Sequence, residues 1–483
     1  MGLANRAIVL TVCRMTNYGL MLVSPIILVR LFSVAGFGRY REFLLYAGIL
    51  QSIAAFSIPD SLLYFVAANP DSPWRVVKRS AVLTLVSTGV VALALLVGNA
   101  ATHGALVGPY AWPLAAYTLF SVNLDFWECF WVARRRPFAV FAYSTGRLAA
   151  RLTVVIVVAV VTRSVWAILW ALVIVEALRL AASAVALRRL GSRAPEPPLA
   201  EPWAGFLRFC VPFGMAAVLA LFSRNLSPLT VTKLLGTAAL AQYMIGRFGE
   251  PIVTTVRNSI SAVVLPEMVR RGQARESPLA LWRQATVVNA LCLFPIAVLV
   301  ARYALPLIRA VFGASYAPAA PVMQIYMIVV LRECLDFGPA LRAAGRTAPL
   351  VVSNVASLLS CGALLVVLAP RYGIAGAMLA FAIASLIEAG YLAGATLRTY
   401  RITLSRLLPW RSLSKVGLAC GLASFVLLAG PLSGLPVLLS IAIAGAAYLA
   451  VYALIVYGLR VPEALALVER ARRVLWHGAM HGA

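Results

Sequence analysis

The chain has 483 residues, of which 62% are hydrophobic and 12% are charged, and its formal net charge is +26. An ordinary soluble domain carries roughly 45–50% apolar and about 25% charged residues, so this composition excludes a soluble globular protein. Apolar runs of about 20 residues recur along the whole sequence, and each is long enough to cross a bilayer as a helix. The sequence therefore predicts an all-α, polytopic integral membrane protein.

The apolar runs predict about fourteen transmembrane helices, numbered here helix 1 to helix 14 in chain order. The first run is too long for a signal-peptide core and has no small-residue cleavage site behind it, so we interpret it as an uncleaved helix. Lys and Arg concentrate in alternate loops, which places both termini on the cytoplasmic side. The positive charge thus reflects topology, and no nucleic-acid partner is expected. The predicted spans cover residues about 7–31, 41–67, 78–99, 109–132, 138–161, 164–187, 205–233, 238–264, 284–305, 318–341, 347–369, 373–397, 412–430 and 435–459.

A proline-dense segment, RRLGSRAPEPPLAEPW, divides the first six spans from the following eight. Because proline interrupts regular helix, such a segment marks a boundary between packed units. The predicted organisation is an N-terminal six-helix bundle over 1–187, this cytoplasmic linker over 188–203, and a C-terminal six-helix bundle over 204–400. Two additional transmembrane helices follow over 401–460, and an amphipathic cytoplasmic tail ends the chain over 461–483.

Two stretches indicate that the bundles are copies of each other. SPIILVRLFSVAGFGRY (24–40) and SPLTVTKLLGTAALAQY (227–243) align without a gap at an offset of 203, and Arg30 then faces Lys233. The offset carries helix 1 onto helix 7, so six helices separate the copies and both run in the same direction. We predict a parallel repeat about a pseudo-two-fold axis, with a cleft between bundles that rocking exposes to each side in turn. The alternative to internal duplication is that Ser-Pro followed by a helix end is simply a common sequence pattern.

Arg30 and Lys233 lie at the ends of helices 1 and 7, at the predicted outer face. Long cationic side chains at a helix end reach toward the membrane interface. We expect both residues to be outer-rim cations that act as anchors or exit-side contacts rather than as central ligands.

Helix 8 carries the clearest polar stripe in an apolar span. Its polar residues recur at spacings of three and four, which places them on one helix face, and Pro251 permits a kink. The pattern fits a cavity wall or, alternatively, a packed salt bridge between Arg247 and Glu250. Arg257 has no partner in the second interpretation, so the cavity is favoured. The stripe consists of Tyr243, Arg247, Glu250, Thr254, Arg257 and Ser261.

Charged residues at the centre of a span cost roughly 2.5–3.5 kcal/mol, so they are expected to face an aqueous cavity or a partner. Arg147 and Arg151 in helix 5 have no acid in that helix, and snorkelling to the interface is the alternative for them. Because Arg binds phosphate in bidentate fashion, a cavity lined by arginines predicts an anionic substrate. The candidate substrate-binding residues are Arg14, Asn17, Arg147, Arg151, Arg224, Arg247 and Arg257.

Acidic residues inside the spans are candidates for ion coupling or gating, although each could also lie near a helix end. These are Asp60, Glu176, Glu250 and Glu388, whereas Arg332 and Asp336 are spaced for an internal pair in helix 10. The sequence contains no catalytic constellation, no P-loop pattern and no metal-ligand spacing among its cysteines and three histidines. We therefore expect no enzymatic activity, no cofactor and no metal. Energy would come from substrate flux, the membrane potential, or an ion gradient such as Na⁺ or H⁺.

Four stretches, spread over most of the chain, resemble the polysaccharide (oligosaccharide) flippase family of the multidrug/oligosaccharidyl-lipid/polysaccharide exporter superfamily. They are VRLFSVAGFGRYREF after helix 1, SIPDSLLYFVA in helix 2, VFGASYAPAAPVMQIYMI before helix 10 and YGIAGAMLAFAIASLIE at the start of helix 12. The resemblance implies a fold of fourteen helices in two bundles. It also implies that undecaprenyl-diphosphate-linked oligosaccharide is moved from the inner to the outer leaflet of a bacterial plasma membrane, for O-antigen, capsule or exopolysaccharide.

The resemblance further implies membrane lipids, a polysaccharide polymerase and a chain-length regulator as partners. Two transport functions remain as alternatives: an ion-coupled multidrug antiporter and a flippase for the peptidoglycan precursor lipid II. A drug antiporter would need acids in the cavity of the first bundle, and helix 1 has none. A membrane polysaccharide polymerase or glycosyltransferase would need a large outer loop with catalytic residues, and every predicted outer loop is short.

Overall fold

The computed structural model describes residues 3–69, 71–121, 126–134, 136–191, 197, 203–273, 277–429, 435–466 and 469. Every regular element in these ranges is helical, which confirms the predicted all-α class. Seven helices in these ranges are long and apolar enough to span a membrane, and one of them, Ala348–Tyr400, has the length of two spans. The other six are Pro73–Ala101, Phe138–Thr162, Val165–Arg189, Leu279–Phe312, Trp410–Leu428 and Val437–Gly458. The total of about fourteen spans stays a prediction.

The described part of the first half of the chain forms eight helices. The predicted helix 2 consists of two of them, because Phe56 and Ser57 adopt left-handed φ angles of 42° and 55° and interrupt the helix. Pro59, two residues further on, has no N–H with which to continue the helical hydrogen bonds. The helices are α1 (Leu3–Leu31), α2 (Val34–Ala55), α3 (Ile58–Ala68), α4 (Pro73–Ala101), α5 (Ala111–Ser121), α6 (Phe126–Ala133), α7 (Pro137–Thr162) and α8 (Val165–Gly191).

The described part of the second half forms nine helices, two of which contain an internal break at a glycine. Gly236 has a φ of 85° and Gly373 a φ of 58°, and each break falls between two predicted spans. Glycine adopts these angles because it lacks a Cβ. The helices are α9 (Trp203–Gly246), α10 (Glu250–Gln273), α11 (Leu279–Phe312), α12 (Ala319–Glu333), α13 (Gly338–Ala343), α14 (Ala348–Tyr400), α15 (Leu404–Leu407), α16 (Trp410–Ala423) and α17 (Val437–Gly458).

The two copies of the repeated turn break their helices at matching positions. Ser33 separates α1 from α2 and caps α2, since its Oγ accepts from the Gly36 amide at 3.1 Å. Gly236, which is 203 residues later, is the break in α9. The copies also touch, because a Cβ on Gly38 would overlap the carbonyl oxygen of Thr237. The turn of the first copy therefore packs directly on the turn of the second.

Residue contacts divide the chain into two compact units, Met1–Ala241 and Gln242–Ala483. This division falls one helix later than the predicted linker, because the start of α9 packs on the N-terminal helices. The ring of Phe206 stacks on that of Phe65 at 4.5 Å, and a Cβ on Gly214 would lie 2.7 Å from Phe56. Most of the predicted linker and most of the tail lie outside the described residues, so the predicted domain boundaries stay a prediction.

Candidate functional site

A polar cavity lies among α2, α5, α7 and α8 of the N-terminal unit. Its volume is about 150 Å³, and both the charged and the uncharged polar side chains come from helices that are otherwise apolar. Among the described residues, three guanidinium groups and one carboxylate line it, so this lining carries a surplus of positive charge. The lining residues are Gln51, Tyr117, Ser121, Arg147, Leu148, Arg151, Glu176 and Arg179.

The carboxylate of this N-terminal cavity is paired on its own helix. Arg179, one turn after Glu176 on α8, donates to that carboxylate and also to the hydroxyl of Tyr143 at 3.2 Å. Such i,i+3 pairs are natural neighbours on a helix face. Glu176 and Arg179 therefore offset each other, and the surplus charge is contributed by α7.

Arg151 on α7 faces an aromatic ring in the cavity. The guanidinium of Arg151 lies 5.7 Å from the ring centre of Tyr117, a cation–π distance. Gln51 donates to Ser121 Oγ at 2.6 Å, which orients an amide and a hydroxyl on the opposite wall. Arg147 and Arg151 lie one turn apart on α7, so the cavity presents two adjacent forked donors to one ligand.

Asn17 joins two helices, and its predicted role as a substrate contact stays a prediction. Its amide donates to Ser144 Oγ at 2.8 Å and accepts from Thr145 Oγ1 at 2.9 Å, which ties α1 to α7. Asn17 thereby positions the helix that carries the cavity arginines. The side chains of Arg14 and Asp60 lie outside the described part of the structure, so their predicted roles remain untested.

The remaining predicted cations of the N-terminal unit lie away from this cavity. Arg30 and Arg224 are exposed. Lys233 is also exposed, and it donates to the carbonyl oxygens of Ala105 and Leu106 at 3.0 and 2.9 Å. Those carbonyls belong to a predicted outer loop, so Lys233 holds a loop, which is the geometry of an anchor.

The helix that carries the predicted stripe is interrupted at the second residue of the stripe, Arg247. Residues 247–249 form a turn between α9 and α10, next to Pro251, so the chain bends where the proline permits it. Arg247 lies in this turn, where it is buried and pairs with Glu250 at 2.8 Å. Its guanidinium also lies 4.6 Å from the ring centre of Phe381. These contacts are those of the packed salt bridge.

Arg257 has partners that its own helix does not supply. It pairs with Glu333 at the end of α12 and lies 3.9 Å from the carboxylate of Asp336. Ser261, one turn further along α10, donates to Asp336 at 3.1 Å. Arg257 therefore has ion-pair partners, and these contacts favour a structural role over a position on a cavity wall. Its role in substrate binding stays a prediction that these contacts do not favour.

Arg332 completes this C-terminal network. The sequence paired it with Asp336, but its guanidinium contacts Glu388 on α14 and Glu333, each at 3.2 Å. It also donates to the Ser385 carbonyl at 3.1 Å. Glu388, a predicted coupling residue, is thus one arm of an ion-pair network. We call this set the C-terminal network: Arg257, Arg332, Glu333, Asp336 and Glu388.

Sequence reasoning missed five residues of these two clusters. For two of them, the sequence contains a signal, which is the short spacing to a residue of opposite charge. Arg179 follows Glu176 by three residues, and Glu333 is adjacent to Arg332. The uncharged cavity residues have no comparable signal, because single polar side chains in apolar helices also serve as helix-to-helix hydrogen bonds. The missed residues are Gln51, Tyr117, Ser121, Arg179 and Glu333.

Comparison with known proteins gives one family match within the chain. Residues 138–321 match the family described as "Polysaccharide biosynthesis protein". A search of curated protein sequences finds no significant match.

Solved structures share the fold over most of the chain. Lipid II flippase MurJ in an inward closed conformation aligns with a TM-score of 0.71 at 15% identity, covering 94% of this chain and 99% of MurJ. A mutant of the Vibrio cholerae MATE transporter VcmN aligns with a TM-score of 0.56 at 15% identity, covering 82% and 96%. A MOP superfamily transporter from Pyrococcus furiosus aligns with a TM-score of 0.55 at 10% identity, covering 82% and 95%.

The family match and the shared fold agree with the predictions from sequence. These structural neighbours are named as a lipid II flippase and as transporters rather than as catalysts, in line with the expected absence of enzymatic activity. These findings agree with the resemblance found in the sequence: the chain is a multi-pass membrane protein that shares the fold of MurJ and of MATE transporters, and residues 138–321 match the polysaccharide biosynthesis family.

Proposed function

We propose that the chain is a flippase that translocates undecaprenyl-diphosphate-linked oligosaccharide across the bacterial plasma membrane by alternating access, for surface polysaccharide biosynthesis. The observation that carries this proposal is the surplus of guanidinium charge in the N-terminal cavity. Charged groups inside a span are expensive and mark sites for ions or substrates. With Glu176 paired to Arg179, it is Arg147 and Arg151 that act as the contacts for the diphosphate.

The size of the N-terminal cavity limits what it can hold. Drug-sized ligands occupy roughly 300–1,000 Å³, whereas this cavity measures about 150 Å³. It is too small for an oligosaccharide and suits a phosphate-bearing head group. In this mechanism the cavity binds the diphosphate, the polyprenyl tail stays in the bilayer, and the glycan lies outside the cavity. A polymerase and a chain-length regulator would act on the delivered product.

Transport of lipid II is the second candidate, and the similarity to MurJ favours it. A multidrug antiporter for organic cations is disfavoured, since a surplus of positive charge repels such substrates. The Pyrococcus furiosus transporter is described as having a binding pocket of reverse polarity, which suggests a different function for that protein. In this chain, the positive charge of the cavity likewise favours an anionic substrate over a cationic one.

Reconstitution tests the proposal directly. The purified chain is placed in liposomes with a fluorescent undecaprenyl-diphosphate oligosaccharide or with labelled lipid II, and inward-to-outward transfer is measured by access of a quencher. We expect transfer of the oligosaccharide lipid, and its loss in Arg151→Ala. Arg163→Gln is the matched control, because Arg163 is exposed at the end of the same helix.

The outcomes separate the candidates. Transfer of lipid II without transfer of the oligosaccharide lipid would establish the second candidate. Transfer of neither lipid, or full activity in Arg151→Ala, would refute the proposal that the chain is a flippase whose cavity binds the diphosphate. Reporter fusions to each terminus test the proposed cytoplasmic orientation, and an outer location of either end would contradict it.

A further inference from the structure

The break between α2 and α3 holds two consecutive residues in a backbone conformation that residues with a side chain rarely adopt. Phe56 has φ 42° and ψ 38°, and Ser57 has φ 55° and ψ 17°. No other two consecutive non-glycine residues among those described have positive φ angles. Left-handed backbone brings the Cβ close to the following carbonyl oxygen, and such strain persists only where the surrounding structure imposes it. The contacts around the break therefore show what holds it in place.

Neighbouring helices stabilise the break from two sides. Ser87 on α4 donates its hydroxyl at 2.8 Å to the carbonyl oxygen of Ala54, one of the last carbonyls of α2, which have no partner within the helix. Phe56 packs against Gly214 of α9, where an added Cβ would lie 2.7 Å from both the ring and the carbonyl oxygen of Phe56. Only a residue without a Cβ leaves room for Phe56 at this point. Contacts with α4 and α9 thus offset the strain.

The local sequence favours a different conformation. The apolar run over 41–67 predicts one uninterrupted span, and neither Phe56 nor Ser57 has the conformational freedom of glycine. Pro59 cannot donate a helical hydrogen bond, but membrane helices tolerate proline as a kink. Local preference for a continuous, kinked helix therefore opposes the tertiary contacts that impose the break. Such a conflict is expected at functional or strained sites, and it suits an element with two conformations.

The two helices that meet at the break contact different parts of the N-terminal unit. Gln51, in the last turn of α2, lines the N-terminal cavity and donates to Ser121. Phe65, on α3, stacks on Phe206 at the start of α9 with 4.5 Å between the ring centres. A change of conformation at the break would therefore move a wall of the cavity relative to the contact between α3 and α9.

We propose that residues 56–57 form a two-state joint in the predicted helix 2, and that the first half of α9 controls it. While Gly214 packs against Phe56, the joint is broken and both of its residues are left-handed. When this part of α9 withdraws, the two residues return to right-handed helix, α2 and α3 join into one kinked helix, and Gln51 turns relative to Ser121. Coupling of this change to substrate release rests on the proposed function, whereas the joint itself does not.

Distances between two spin labels on the purified full-length chain test the joint. The labels replace Arg39 on α2 and Tyr64 on α3, because both side chains are exposed, and they are attached through unnatural amino acids so that the native cysteines remain. A continuous helix from residue 39 to residue 64 would be about 37 Å long, and a break shortens this separation. We expect the shorter distance to dominate in the chain that carries no further substitution.

Three substitutions should move the joint in stated directions. Gly214→Ala places a Cβ where Phe56 lies, so it should enrich the longer distance. Ser87→Ala removes the hydrogen bond to the Ala54 carbonyl and should do the same, which keeps the test available if Gly214→Ala does not fold. Added to either variant, Ser57→Gly should lower the ratio of the longer to the shorter population by about tenfold, because glycine adopts left-handed backbone without strain.

Gly89→Ala on α4 is the matched control for Gly214→Ala. Nothing lies within 4 Å of its added Cβ, so the distance distribution should not change.

Two results would overturn the joint: the same distance distribution in all of these chains, or a shift of Gly214→Ala and Ser87→Ala toward the shorter distance. Either would make the break a fixed feature of the fold. The flipping assay is independent of this result. A joint that responds to the substitutions in a chain that flips neither lipid would refute the proposed function and keep the joint.

Discussion

The two units of the molecule place arginines inside apolar helices in opposite ways. The described lining of the N-terminal cavity contains three arginines and one glutamate, together with an uncharged tyrosine, glutamine and serine. In the C-terminal network, two arginines are enclosed by three carboxylates. The described lining of the first has more guanidinium groups than carboxylates, whereas in the second both arginines contact carboxylates. Residue type and burial alone therefore do not distinguish these two settings; the balance of charge around the arginines does.

The largest effect is expected in the C-terminal network. Arg257→Ala should lower the free energy of unfolding by about 3–5 kcal/mol, because it leaves Asp336 without its guanidinium contact and Glu333 with Arg332 alone. Denaturant titration in detergent micelles measures this. Arg257→Met combined with Glu333→Leu should recover part of the loss, since it removes both members of the Arg257–Glu333 pair while Asp336 still lacks its guanidinium contact. A stable Arg257→Ala protein that cannot transport would instead indicate that Arg257 contacts the substrate. It would contradict the distinction between the N-terminal cavity and the C-terminal network.

Packing rather than ion pairing should dominate at the repeated turn of the N-terminal unit. Gly38→Val should destabilise the chain by about 1–3 kcal/mol, because its side chain would overlap the Thr237 carbonyl. Gly48→Ala on the same helix is the control, since nothing lies within 4 Å of its added Cβ. The control should be neutral or slightly stabilising, by up to about 1 kcal/mol. Equal effects of the two substitutions on thermal unfolding would contradict the contact between the two turns.

Removing the acid that lines the N-terminal cavity should increase the affinity of the cavity for an anion. Glu176→Gln eliminates one negative charge and frees Arg179, so we expect the affinity for undecaprenyl diphosphate to rise by about fivefold, equivalent to about 1 kcal/mol. Equilibrium binding to the detergent-purified chain measures the change. Weaker binding would show that Glu176 acts in gating or ion coupling, as an isolated acid in helix 6 suggests.

The smallest effect is expected at the outer rim. Lys233→Ala removes two hydrogen bonds to a loop at an exposed site, so it should change the free energy of unfolding by less than about 1 kcal/mol. Proteolysis of the loop around Ala105 should nevertheless become faster. Arg30→Ala is the matched substitution, and it should leave that loop unchanged. A loss of head-group binding in Lys233→Ala would show that the rim is part of the substrate path.

The sequence predicted the helices well because their signal is local. Long apolar runs, a proline after a break and a glycine between spans each act within a few residues, and α14 with its break at Gly373 lies where two spans were expected. The partners of the charges could not be predicted in the same way. Arg257 lies 76 residues from Glu333, and Arg332 contacts Glu388 on another helix. Periodicity shows which residues share a face but not what that face meets.

Direct binding of the lipid head group tests the central claim, that the N-terminal cavity and not the C-terminal network holds the anion. Undecaprenyl diphosphate is titrated into the purified wild-type chain, into Arg147→Ala combined with Arg151→Ala, and into Arg163→Gln. We expect binding to be lost in the double variant, while Arg163→Gln binds as the wild type does. Wild-type affinity in a folded double variant would contradict it.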